Sequence, residues 1–150
     1  MFVGLHRHSH YSKRDAIAKI PDIVDKVGKL GQSAWALTDH GTTSGLMEGY
    51  KVTQKYNKEH GTNIKFIFGC EMYWIPNVFI KDRKASCHLI VLAKNMTGYH
   101  NLLKLTTEGY GAKGAEPENY MVKELKNALP RVQCLEMSID HMTGKLVNES

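Results

Sequence analysis

Apolar residues recur along the chain in two rhythms, one close to the helical repeat and one of dense apolar runs, and together they predict strands and helices in alternation. Phe2 to His8 reads as a strand, followed by a polar loop through Asp15 in which Ser9, Ser12 and Lys13 discourage regular structure. Ile20, Ile23, Val24, Val27 and Leu30 then fall at helical spacing behind Pro21, a favoured first-turn residue, and Gly31 is a natural stop. Ser33 to Thr38, SAWALT, reads as a second strand ending at Asp39-His40-Gly41. A helix is expected from about Ser44 to Glu59, closing at Gly61, with Gly45 and Gly49 as its weak points. Ile64 to Tyr73 and Ser86 to Ala93 have the β-branched and aromatic density of buried strands. Thr97 offers an N-cap for a helix with Tyr99, Leu102, Leu103 and Thr106 on one face.

Gly109 to Glu118 breaks this pattern, because glycine and proline dominate and little there can be buried, so a loop or linker is expected. Beyond it Met121, Val122, Leu125 and Leu129 predict a last helix, and Val132 to Ile139 a final strand. The alternating order and near-continuous apolar strands predict an α/β fold with a parallel or mostly parallel sheet, open or barrel-like.

Composition narrows the class. A chain of 150 residues with 42% hydrophobic content suits one compact domain. Its 3 cysteines form no CxxC pair, which argues against a disulfide framework and for a reducing compartment. The start, MFVGLHRHSHYS, has no long apolar stretch behind a basic leader, so a cytoplasmic protein with no membrane association is expected. Lys and Arg outnumber Asp and Glu by 20 to 15, a formal charge of +5 that suits an anionic partner such as nucleic acid. The basic residues are spread rather than massed, which an ordinary basic surface would also show.

The 8 histidines are the compositional oddity, with His6, His8, His10, His40 and His88 all at or beside expected strands. His6 and His8 sit two apart on a strand, so both project from one face and can share an ion. Asp39-His40 ends one apolar strand, Glu71 lies within another, and His88 opens a third. A carboxylate inside an apolar strand is costly unless it is paired or bound to metal, and strand ends of one sense converge at a common face. A shared metal cluster is the economical reading.

The same residues resemble a family. FVGLHRHSHYS (Phe2 to Ser12) with Asp15 after it, ALTDHG (Ala36 to Gly41), FGCEMY (Phe68 to Tyr73) and HLIVLAKN (His88 to Asn95) are similar, in order, to motifs of the PHP (polymerase and histidinol phosphatase) domain of bacterial DNA polymerase III alpha subunits. GYHNLLKLTTEGY, Gly98 to Tyr110, continues the likeness, so residues 1–110 are expected to form the PHP-like metal-binding region and 111–150 a divergent tail packed on the same domain. The resemblance implies a distorted, partial (β/α) barrel that binds two to three divalent ions, zinc, manganese or iron. Carried over position by position, the implied ligands are His6, His8, Asp15, His40, Glu71 and His88, with His141 in CLEMSIDH as a further candidate. Asp39 is the candidate catalytic helper, orienting a ligand from the opposite strand face, while Arg7 and Arg14 are candidates to hold phosphate oxygens.

The implied activity is hydrolysis of a phosphoester, of 3′–5′ exonuclease type, in a module without a polymerase palm. DNA, the polymerase itself or other replication proteins are the implied partners. The Asp-x-His pair of complete PHP domains does not occur in this sequence. Two other functions stay open: a free-standing phosphatase acting on a small phosphorylated metabolite, and a non-catalytic PHP-like module that docks on a replication protein.

Overall fold

A computed structural model describes residues 2–74 and 87–111. Its elements run α1 (Ile20–Lys29), β1 (Ala34–Leu37), α2 (Leu46–His60), β2 (Lys65–Trp74), β3 (Cys87–Leu92) and α3 (Met96–Gly111). The expected last helix and strand, the tail 112–150 and His141 lie outside the described residues.

α1 forms because Ile20, Ile23, Val24 and Val27 make one apolar stripe, with Pro21 in the first turn and Gly31 closing the end at φ +63. Leu30, expected on that stripe, instead sits at the C-cap and is exposed. α2 begins after Gly45 and ends at Gly61 in the left-handed region at φ +63. Gly49 is a packing requirement there, since a Cβ would stand 2.7 Å from the Phe66 ring. α3 starts two residues earlier than expected. Asn95, rather than Thr97, caps it, its Oδ1 accepting the Gly98 amide at 3.0 Å, and the helix continues through Gly109 to Gly111.

The sheet has the order β1-β2-β3. β1 pairs with β2 in parallel, Trp35 opposite Phe66, but β2 pairs with β3 antiparallel, Tyr73 opposite His88. The sheet is therefore mixed. Two isolated bridges, Gly4 to Trp35 and His40 to Glu71, are parallel as well. Phe2 to His8, expected to be a full strand, touches the β1 edge irregularly: Gly4 O accepts Ala36 N and Arg7 O accepts Thr38 N. Three steps on one side match two on the other, a bulge that interrupts the ladder.

Trp35, Leu37, Phe66, Cys70 and Val91 from the sheet, the α1 stripe, and Leu46 and Leu102 from α2 and α3 form the core. Trp35 is fully buried, and its indole N–H donates to Thr53 Oγ1 at 3.1 Å, so its polar tip carries no desolvation cost. Among the described residues no helix is long and apolar enough to cross a membrane.

Candidate metal centre

The antiparallel turn of β3 assembles the site. His40 follows the carboxyl end of β1 and Glu71 sits in the carboxyl half of β2. His88 opens β3, so a parallel β3 would have carried it to the far edge of the sheet. Running antiparallel, β3 sets His88 opposite Tyr73, and alternation places Glu71, Tyr73 and His88 on one face. The bridge to Glu71 brings His40 alongside, and the bulged segment delivers His6 and His8.

Glu71 is the hub. Its carboxylate is 1% exposed, and four imidazoles face it. Glu71 Oε2 lies 3.0 Å from His6 Nε2 and 2.5 Å from His8 Nε2, while Oε1 meets His88 Nδ1. His40 Nδ1 stands 3.9 Å from Oε2 and 3.5 Å from Asp15 Oδ2. Burial by itself would push the Glu71 pKa up, but hydrogen bonds and charge from His6, His88 and His8 outweigh it and hold the carboxyl below its ordinary range.

The donor set fits a cation better than it fits hydrogen bonding alone. His6 Nε2 and His8 Nε2 are 3.1 Å apart and both aim at the same carboxylate oxygen, forming a triangle of ligand atoms. A ring nitrogen carries either a proton or a lone pair, so protons cannot satisfy all three edges in good geometry. An ion in tetrahedral coordination, with ligand bonds of roughly 2.0–2.1 Å, spaces its ligand atoms about 3.3 Å apart, close to the 3.0 and 3.1 Å edges and wider than the 2.5 Å one. His40 adds a second sign, because its Nε2 is buried without a hydrogen-bond partner among the described residues. His6, His8 and Glu71 form one group able to hold an ion, and His40, Glu71 and His88 a second that shares the carboxylate.

The other expected residues fall into different places. Asp39 is 1% exposed, and its carboxylate accepts Ser9 N at 2.6 Å, Ser9 Oγ at 2.8 Å and Ser12 Oγ at 2.8 Å. Ser12 Oγ in turn accepts the His40 amide at 2.9 Å. Asp39 thus ties the loop that carries Asp15 to the end of β1, and acts on the imidazoles through that loop. Arg7 turns away from them: its guanidinium packs over Gly4 and reaches Gln32 Oε1 at 3.5 Å, and burial lowers its pKa. Arg14, in the left-handed region at φ 79, lines an open cavity of about 500 Å³ together with Lys13, Asp15, His40 and Tyr73.

Ser9 and Ser12 are the residues that sequence reasoning passed over as loop formers, although they are 0% and 1% exposed. Two serines three apart in a segment that also carries the HxH pair were the available signal. Tyr73, which reads from sequence as either rim or core, is 57% exposed, with its ring 4.6 Å from His40 and 4.9 Å from His88. Cys70 packs on the other face, where burial pushes its thiol up to about 12.

Comparison with known proteins supplies the relatives. DNA polymerase III subunit alpha of Borreliella burgdorferi is 46% identical over 114 residues, and that of Treponema pallidum 40% identical over 114 residues. The subunit of Helicobacter pylori is 35% identical over 111 residues. Each match covers 73% of this chain, which spans about 9% of the length of these relatives. Among solved structures, an amidohydrolase from Chromobacterium violaceum aligns at TM-score 0.48 and 22% identity, over 72% of this chain and 34% of that one. A candidate metal-dependent phosphoesterase from Bifidobacterium adolescentis aligns at TM-score 0.47 and 18% identity, over 85% of this chain and 44% of that one. The model of the PHP domain matches residues 4–144, past Tyr110 where the quoted motifs stop, and with that match the imidazoles around Glu71 have their context: this chain belongs to the PHP domain family.

Proposed function

We propose that this chain is a metal-dependent phosphoesterase module of the DNA polymerase III alpha type, acting on DNA as a 3′–5′ exonuclease. One observation carries the reading: a single buried carboxylate, Glu71, receives imidazoles from the amino-terminal segment, the end of β1 and the start of β3. Nothing in a stable apolar core calls for that convergence, since each buried charge costs stability unless it is paired or metal-bound.

In this reading His6, His8, Asp15, His40, Glu71 and His88 hold two or three divalent ions, zinc, manganese or iron, with Glu71 shared between positions. His141 is a further candidate ligand from the tail, and the fold is a partial, distorted (β/α) barrel. Such ions, when bound, polarise a phosphoryl oxygen and lower the pKa of a bound water. The chain's own residues do the rest. Arg14 and Lys13 in the cavity wall offer donors to phosphate oxygens, and Asp39 fixes the loop that presents them. A cytoplasmic setting with replication proteins as partners completes the proposal.

The test is hydrolysis of a 5′-labelled single-stranded oligodeoxynucleotide by the purified chain with added manganese or zinc. Shortening from the 3′ end, abolished by chelation and reduced roughly 100-fold or more in Glu71→Gln, is the expected result. Equal hydrolysis by the wild-type chain and Glu71→Gln would remove the assignment. Preference for a small phosphorylated metabolite over DNA would replace the exonuclease with a free-standing phosphatase.

A further inference from the structure

The cavity beside the imidazoles has one wall that metal binding leaves unexplained. Tyr73 belongs to the same strand face as Glu71 and His88, yet it is 57% exposed, a large aromatic ring held at a wet edge. Its ring stands 4.6 Å from His40 and 4.9 Å from His88, and it lines the same opening as His40. Tyr11, the other tyrosine of that wall, has its hydroxyl bonded to Glu48 at 2.9 Å. The same cavity is lined by Lys13 and Arg14, both exposed cations, and Arg14 is held there by a backbone at φ 79, the left-handed region that side chains other than glycine adopt at a cost.

We propose that Tyr73 is a stacking platform for the terminal nucleobase of a single DNA strand, with Lys13 and Arg14 holding the phosphate next to it. A flat aromatic face beside paired cations suits a base joined to a phosphate through one sugar, and an exposed aromatic accepts any base because every base has a π-face. A small sugar or amino-alcohol phosphate would use the cations but has no π-face to stack on Tyr73. The cavity of about 500 Å³ is large enough for a nucleotide, and the net charge of +5 favours a polyanion. This inference rests on the phosphoesterase reading above and names the residue of that site that seats the terminal base.

The experiment is an equilibrium binding titration of the full chain, by anisotropy and by quenching of 2-aminopurine at the 3′ end of an oligodeoxynucleotide. A phosphorothioate terminal linkage prevents turnover. The same strand ending in an abasic residue serves as the comparison. The wild-type chain is expected to bind the base-bearing end about tenfold more tightly than the abasic end, with quenching. Tyr73→Ser and Tyr73→Leu should bring that ratio to about one, and Tyr73→Phe should restore it. Equal binding of the two ends by the wild-type chain, no binding of either, or a ratio that survives Tyr73→Leu would each overturn the platform. Failure of the phosphoesterase reading shows separately, as base-dependent binding without metal-dependent cleavage of the unmodified strand.

Discussion

Glu71 and Asp39 are two carboxylates, each 1% exposed, with different partners. Among the described residues Glu71 meets only ring nitrogens, which can bind a proton or a metal, whereas Asp39 meets an amide and two hydroxyls that donate to it. The first is therefore the candidate site and the second a strut. Asp39→Ala leaves Ser9 N, Ser9 Oγ and Ser12 Oγ without their acceptor, and should cost about 3 kcal/mol in urea denaturation. A loss under about 0.5 kcal/mol would mean the loop is not held this way. Cys70 and Cys87 offer a second check on the face assignments: maleimide should label exposed Cys87 in the native chain and reach buried Cys70 only after denaturation. Mass spectrometry of the labelled peptides decides it. At this scale the ligand candidates were legible, because an ionisable residue inside SAWALTDH or IFGCEMY violates an apolar pattern and so stands out. Ser9 and Ser12 were not, since serine in a polar loop breaks no pattern. Nor was the orientation of Arg7, which depends on a bulge that no local signal encodes.

The elements show the same division. Among the described residues, and apart from Phe2 to His8, strand and helix positions followed from periodicity to within a residue or two, since Ile20, Ile23, Val24 and Val27 make a stripe whatever they pack against. Strand direction did not follow. An apolar run such as HLIVLA reads alike in both senses, and only pairing with Met72 and Tyr73 sets β3 antiparallel to β2. That direction is what brings His88 to Glu71. Gly49 shows how packing overrides propensity within an element. On an exposed helix face Gly→Ala adds up to about 1 kcal/mol of stability, but Gly49→Ala drives a methyl group against Phe66 and should destabilise by about 1–3 kcal/mol. Urea denaturation gives the sign directly, and a gain in stability would show that α2 and β2 are less tightly apposed than described. Asn95→Ala should cost about 1 kcal/mol through loss of the α3 cap, where Thr97→Ala should cost little.

For the whole molecule, the candidate ligands come from segments far apart in sequence, so they meet only when the sheet is assembled. Folding and metal binding are then linked: an ion that binds the folded chain alone stabilises it, by about 2.7 kcal/mol at a free concentration one hundred times its dissociation constant. Chelation should accordingly lower the thermal midpoint of the wild-type chain and leave that of Glu71→Ala almost unmoved. An equal shift in both would place the metal elsewhere. The family was legible because four motifs in one order are far more specific than any one of them. The mixed character of the sheet was less so, because alternating strands and helices predict parallel pairing until one connection doubles back.

The most direct test of the central claim is the metal content of the chain, expressed without a polyhistidine tag, dialysed against metal-free buffer and measured by plasma mass spectrometry. The account predicts at least two tightly held ions of zinc, manganese or iron per wild-type chain, and fewer in both His8→Ala and Glu71→Ala. No retained metal, or a content unchanged in both variants, would contradict it.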